Sequence, residues 1–332
     1  MKFAKYLLGR VATFLLVIFI GVTVVFVIPR LMPTSPVESM IGQLVSKSGS
    51  MEPEAVESIR QSLNDSFGLG GSLWEQYTGF FRRVLLTQDF GPSLSAYPVP
   101  VNQMIARALP WTAILLLTTT VISWLVGNIA GLLAGYRPNK TSSKMLETLS
   151  VIFYPIPYYL LGLALIIIFA FVFPIFPLSV TVRESIPLSQ QLGTIFKASV
   201  LPAISLLLPG LGWWLISMKT LSSNLREADY VKFARLKGLS ERRIIRSYVL
   251  PNAILPQITM LALQIGTIFG GSLIMENLFG YPGLGSLTMR GILQADYNLI
   301  MGCISLSVIA VAITTFIVDM LYPFFDPRIR YQ

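Results

Sequence analysis

Six apolar stretches, near residues 8–30, 111–135, 149–173, 199–219, 258–276 and 300–322, constrain this chain more than any other feature of its sequence. About 20 helical residues cross the roughly 30 Å of bilayer hydrocarbon, and a backbone in lipid must satisfy its own hydrogen bonds. The expectation is an all-α integral membrane protein of six transmembrane helices with a large extracytoplasmic segment after the first. Composition agrees: of 332 residues, 54% are hydrophobic and 12% charged, too little polar surface for a soluble globule of that size. The first stretch follows Lys2, Lys5 and Arg10 as a signal peptide's would. It is too long for an h-region and has no clear small-residue cleavage site, so it reads as a retained anchor.

The formal net charge of +9 raises nucleic acid as a partner, but the basic residues fall in short stretches between apolar runs, where membrane topology accounts for them. Nucleic acid is set aside and membrane lipid is the expected surrounding. One side collects Lys2, Lys5 and Arg10; Arg137, Lys140 and Lys144; Lys219, Arg226, Lys232, Arg235, Lys237, Arg242, Arg243 and Arg246; and Arg328 and Arg330. That side is expected to be cytoplasmic, with both termini inside. The chain then divides into 1–30 (tip and first span), 31–110 (extracytoplasmic, slightly acidic) and 111–332 (a five-span core carrying a cytoplasmic loop, 220–257).

Within 31–110, Pro53 to Leu69 reads as a helix. Pro53 suits its first turn, Glu54 and Glu57 its positive end, Gly68 its stop, and Val56, Ile59, Leu63 and Phe67 form an apolar stripe. That stripe is either a packing surface or a platform for an external partner. Leu73 to Leu86, with Trp74, Tyr77, Phe80, Phe81 and Val84, is suited to the headgroup level. Gly127, Gly131 and Gly135 make two overlapping G-x-x-x-G steps and Gly266 with Gly270 a third, which let neighbouring backbones approach. Pro155 and Pro157 interrupt the third span and Pro209 the fourth.

The stretch 224–256 is basic and helix-prone, yet lies directly between two spans. Tyr230, Phe233, Leu236 and Leu239 form an apolar ridge on one helical face, with Lys232, Arg235 and Lys237 around it. Gly238 permits a left-handed turn, Ser240 suits the N-cap of a second helix over Glu241 to Leu250, and Pro251 is expected to interrupt that helix. Helix, sharp turn, helix is the predicted shape.

These residues resemble the cytoplasmic motif of importer permeases of the ATP-binding-cassette class: E-A-A, three residues, G, nine residues, I, one residue, L-P. In the same frame stand Lys232-Phe233-Ala234, Gly238, Tyr248 and Leu250-Pro251, while Asp229 to Ser240 resembles the variant of peptide-type permeases. The likeness extends through Gln76-Tyr77, Asp89-Phe90-Gly91 with Ser93, Pro98-Val99 to Leu109-Pro110, Glu276 with Tyr281-Pro282-Gly283-Leu284-Gly285, Asp296-Tyr297 and Asp326-Pro327-Arg328. The resemblance covers dipeptide, oligopeptide and nickel importers, with an oligosaccharide branch. It implies a type I importer fold in which this chain pairs with a homologous permease, two cytoplasmic ATPase subunits bind ATP and Mg, and an external binding protein delivers solute. Asp229, Tyr230, Lys232, Phe233, Ala234, Arg235, Lys237, Gly238, Leu239, Leu250 and Pro251 would then couple the chain to the ATPases.

Other chemistries have little to build on. The sequence has no histidine and a single cysteine, Cys303, and no G-x-x-x-x-G-K-[ST] phosphate loop, so neither a metal site, a catalytic site nor a bound cofactor is expected of this chain. An ion-coupled carrier is the competing transport class; it would use intramembrane carboxylates, whereas Glu147, Glu276 and Asp319 fall at span ends. An intramembrane hydrolase would need something like Ser217 or Ser222 with Lys219. Candidates for the solute path are Trp213 and Trp214, near which peptide-type permeases often carry an alanine-arginine pair, and Glu276, Phe279 and Tyr281 near an outer gate. Ile216 stands where that arginine is expected.

Overall fold

The computed structural model describes residues 2–31, 36–48, 52–182 and 186–325, so Asp326-Pro327-Arg328 and Arg330 lie outside the described residues. Fourteen helices account for nearly all of the rest: α1 (Lys2–Arg30), α2 (Pro36–Ser48), α3 (Pro53–Phe67), α4 (Leu73–Arg82), α5 (Val101–Tyr136), α6 (Thr141–Phe153), α7 (Tyr158–Ile166), α8 (Leu188–Arg226), α9 (Asp229–Leu236), α10 (Glu241–Ile244), α11 (Leu250–Ile268), α12 (Leu273–Leu278), α13 (Leu284–Leu293) and α14 (Tyr297–Phe325). Among the described residues five helices are long and apolar enough to cross a membrane: Tyr6–Ile28, Val101–Tyr136, Ser189–Arg226, Glu241–Ile268 and Tyr297–Met320. α6 and α7, bent by 92° at their break, supply a sixth when counted as one span. The chain is an all-α, multi-pass membrane protein.

Prolines explain where the spans depart from expectation. Pro155 and Pro157 lack the amides that would carry the ladder past residue 153, so the stretch 149–173 is a sharp corner rather than one straight helix. By contrast α5 contains Pro110 and begins at Val101, ten residues before the expected span. α8 continues through Pro202 and Pro209, where the Ser205 hydroxyl donates to the Pro202 carbonyl at 2.8 Å. The expected fifth span, 258–276, ends early: Gly271 takes φ 69°, α11 stops at Ile268, and α12 is a separate short helix.

The glycine steps mark the closest helix crossing. A Cβ on Gly131 would lie 2.5 Å from the Leu215 carbonyl oxygen, one on Gly127 2.6 Å from the Trp214 Cβ, and one on Gly135 against the Lys219 carbonyl. α5 and α8 therefore touch backbone to backbone along three turns. Gly266 gives close approach to the Thr314 side chain of α14, whereas Gly270 sits in the turn after α11, where a Cβ would lie 3.3 Å from the Thr267 carbonyl oxygen and no nearer than 3.8 Å to α14. α1 packs on α14 through Ile18, Val22, Val25 and Phe26, and Arg10 pairs with Asp319 at 2.9 Å.

In the outer segment the stripe on α3 is a packing surface. Leu63 and Phe67, with Val56 and Ile59, bury against Val37 and Ile41 of α2, leaving no apolar platform there. Gly68 ends α3 with φ 63°, as its position predicts. α4 opens with a capping box in which the Ser72 amide and hydroxyl hold the Glu75 carboxyl below its ordinary range. Arg30 donates to Gln76 at 3.2 Å, and the Thr23 and Tyr77 hydroxyls meet at 2.8 Å, fastening α4 to the outer end of α1. The other face of α4 and the π-helical turn after it remain exposed at Trp74, Leu85 and Leu86.

Candidate functional site

The basic segment between α8 and α11 folds as a helix, a left-handed turn and a second helix. Asp229 stands in the first turn of α9, where the helix dipole favours an acid. Gly238 takes φ 74°, and the Gly238 and Leu239 amides donate back to the Arg235 and Ala234 carbonyls at 2.9 and 3.3 Å. That pairing is a Schellman closure, which a Cβ-bearing residue resists at the glycine. Ser240 adopts the extended conformation of an N-cap, but its side chain accepts no capping bond.

The predicted ridge divides in two. Tyr230, Phe233 and Leu236 are 40%, 64% and 82% exposed, whereas Leu239 is half-buried against the body. What fixes α9 is the opposite face, where Val231 and Ala234 bury against Tyr136, Met218, Ile244 and Val249. Lys232 pairs with Asp229 at 3.3 Å on the surface, and Lys237 is exposed beside the turn. Leu250 is half-buried and Pro251 exposed. Pro251 does not interrupt the second helix: helical backbone runs from Glu241 to Ile268, widening to π geometry over Ile245–Val249 just before the residue that lacks an amide.

A polar clamp at this turn involves two residues the sequence reading did not select. Arg235 donates from Nε to Glu241 at 3.1 Å and from Nη2 to the Tyr136 hydroxyl at 3.0 Å, and that hydroxyl donates to Glu241. The Tyr136 bond is the chief reason the Arg235 guanidinium is held above its ordinary pKa. Tyr136 is the last residue of α5, so the clamp ties α9 to the end of a span. Its position there was the available signal; the pairing across about a hundred residues was not visible in spacing.

A cavity of about 320 Å³ opens where Pro209 and Gly210 loosen α8. It is lined by Thr119, Thr120 and Ser123 of α5, Tyr158 of α7, Trp214 of α8, Gln264 and Thr267 of α11, and Ser272. Hydroxyls and the Gln264 amide share the lining with Leu116, Leu206 and Ile268, and none of the lining residues is charged. Of the tryptophan pair only Trp214 contributes; Trp213 turns away, 40% exposed, and stacks on Tyr154 at 5.5 Å.

Glu276, Phe279 and Tyr281 are not among the residues that line this cavity. Phe279 and Tyr281 pack with Leu115, Ile166 and Leu201. Glu276 is fully buried and organises the loop around it. One carboxylate oxygen accepts from the Ser272 amide and the Thr112 hydroxyl, each at 3.0 Å; the other accepts from the Gly285 and Ser286 amides at 2.7 and 3.2 Å. The last two amides open α13, so Glu276 serves the positive end of a helix. Asp296 does similar work, accepting from the Ser93 hydroxyl and the Ser95 and Leu299 amides.

The serine and lysine side chains that a hydrolase would need have other partners. Lys219 pairs with Glu147, the Ser222 hydroxyl donates to the Leu132 carbonyl, and Ser217 accepts from Gln257, so no serine-lysine pair forms. Among the described residues no three of His, Cys, Asp and Glu gather to hold a metal.

The fold is that of a polytopic helical membrane protein with an uncharged cavity among its spans and a short helix, α9, projecting between two of them. Residues 127–331 match the family described as the inner membrane component of binding-protein-dependent transport systems, and the chain belongs to that family. It is 30% identical to the dipeptide transport system permease protein DppB of Bacillus subtilis, with 98% of each chain covered. It is 29% identical to the oligopeptide transport system permease protein AppB of the same organism, over 95% of this chain and 96% of that one. It is also 29% identical to the nickel import system permease protein NikB of Staphylococcus aureus, over 99% of this chain and 92% of the relative. The chain is thus a permease component of a binding-protein-dependent importer.

Proposed function

We propose that this chain forms half of the pathway by which an ATP-driven importer takes up a small oligomeric solute, an oligopeptide or an oligosaccharide, delivered by an external binding protein. A homologous permease supplies the other half. Two ATPase subunits, which carry the ATP and Mg, dock on α9, and this chain hydrolyses nothing itself. It lies in the plasma membrane of a prokaryote with both termini in the cytoplasm. The observation that carries the reading is the exposed ridge Tyr230, Phe233 and Leu236, held out from the body by Val231, Ala234 and the Arg235 clamp. A free apolar ridge on a rigidly mounted helix is suited to a groove on a partner.

The uncharged cavity supports a neutral or zwitterionic oligomer better than a bare metal ion, which needs carboxylate, imidazole or thiolate ligands. Uptake of a labelled tripeptide, a labelled cello-oligosaccharide and nickel, compared in cells with and without the gene, tests the cargo. Phe233→Ser with Leu236→Ser tests the docking: the ATPases should no longer co-purify while the chain still inserts. Full co-purification and uptake in that variant would remove α9 as the docking element, and loss of nickel uptake alone would remove the oligomer.

A further inference from the structure

A second cavity, of about 470 Å³, lies at the cytoplasmic ends of α5 and α8. Arg137, Lys140, Arg226 and Arg235 line it together with one carboxylate, Glu241. That carboxylate is already engaged by Arg235 and the Tyr136 hydroxyl. Arg137, Lys140 and Arg226 make no ion pair or side-chain hydrogen bond among the described residues, although Arg137 lies close enough to Glu241 to lower its pKa, so four cations converge on one hollow against a single carboxylate. α6 begins at the same place. Lys140 is its N-cap, no side chain caps it, and its first turn holds no acid, so the positive end of the helix is open. Such a hollow is built for a phosphate-bearing anion.

Its depth selects the source. Arg137 directly follows the last residue of α5, and Arg226 ends α8 seven residues past the apolar stretch 199–219, so the cations sit at and just beyond the level where two spans leave the hydrocarbon. Lipid phosphates are concentrated at that level, and basic pockets between spans bind anionic headgroups there. The ridge expected to meet an ATPase points elsewhere, since Phe233 and Leu236 do not line the cavity. We infer that the hollow bounded by Arg137, Lys140 and Arg226 and the start of α6 binds the phosphate of an anionic phospholipid from the cytoplasmic leaflet. The positive-inside rule alone asks only for basic residues in this loop, not for their convergence.

The full chain in phosphatidylcholine nanodiscs, with or without phosphatidylglycerol, provides the test. Retained lipid is read by native mass spectrometry after partial delipidation. Phosphatidylglycerol should be retained over phosphatidylcholine, and the paired change R137A and R226A should lower that retention about tenfold or more. The paired change R242A and R243A removes the same charge from exposed positions outside the cavity and should leave retention as it was. Lys140→Ala, at an exposed position, should give a smaller loss without disturbing the packed core. Competition by millimolar inorganic phosphate with no preference between the lipids would keep the anion site but assign it to a soluble phosphate. Equal phosphatidylglycerol retention in the parent, R137A/R226A and K140A would overturn the proposal.

Discussion

Glu276 gives the sharpest test of how this fold is held, because its role as an acceptor can be separated from its charge. The carboxylate accepts four hydrogen bonds, three of them from backbone amides that cannot turn elsewhere. Glu276→Gln keeps shape and one acceptor oxygen. If that oxygen stays toward Gly285 and Ser286, the new amide faces Ser272 and Thr112; the hydroxyl can rotate, so a single buried amide is left unpaired at a cost of about 1–3 kcal/mol. Glu276→Ala strands Ser272 and Gly285 together, and empties the volume between α12 and α13. Its cost should be at least twice that of glutamine, tempered by the desolvation recovered when a buried charge is removed. Thermal unfolding of the purified chain should rank wild type above glutamine above alanine, with a few degrees lost per step. Equal loss in both variants would mean that the charge itself matters, as in an ion relay. No loss in either would refute the clamp altogether.

Two further substitutions test the packing and the clamp. Gly131→Leu drives a side chain into the Leu215 backbone and should cost roughly 1–3 kcal/mol or block assembly of the span pair, whereas Gly9→Leu, with nothing within 4 Å, should leave the unfolding midpoint in place. Tyr136→Phe keeps the ring but removes the hydroxyl shared by Arg235 and Glu241. In the reconstituted importer this change should lower solute moved per ATP hydrolysed while ATPase activity persists; an unchanged ratio would show that the clamp carries no motion.

What could be read in the sequence was what depends on local periodicity. Hydrophobic length marked the spans, the i, i+3 recurrence of Tyr230, Phe233 and Leu236 marked α9, and Gly238 marked its end. Hydropathy does not say whether a proline breaks a helix, and it did not show the left-handed turn at Gly271 that ends the fifth span early. Pro110, Pro202 and Pro209 lie inside helices whose neighbours hold them in line, while Pro155 and Pro157, spaced two apart, turn the chain through 92°. α2 went unread although Val37, Met40, Ile41, Leu44 and Val45 recur at helical spacing; Val37 and Ile41 of that face pack on α3. Ala234 was selected by the resemblance but Val231 was not, and the two together are what seats the helix. Glu276 was placed at a span end, where a carboxylate usually meets water; its amide partners at 285 and 286 come from a helix start that no motif spacing predicts.

These contacts form one continuous mechanical path. α9 is bound to the end of α5 by Val231, Ala234 and the Arg235–Tyr136–Glu241 clamp. α5 is bound to α8 by three glycines at backbone distance, a crossing that has no slack to absorb displacement. Both helices then supply the wall of the membrane cavity, α5 through Thr119, Thr120 and Ser123, α8 through Pro209, Gly210 and Trp214. A push on α9 must therefore move α5 and α8 together. The remaining wall, Tyr158 of α7 and Gln264 and Thr267 of α11, belongs to helices joined to that pair without an equivalent glycine seam. Relative motion is then directed to two places where the backbone already departs from α geometry: the 92° corner before α7 and the π turn before α11. Both border the cavity's helices, so a rigid α5–α8 pair moving against α7 and α11 would change the cavity's shape.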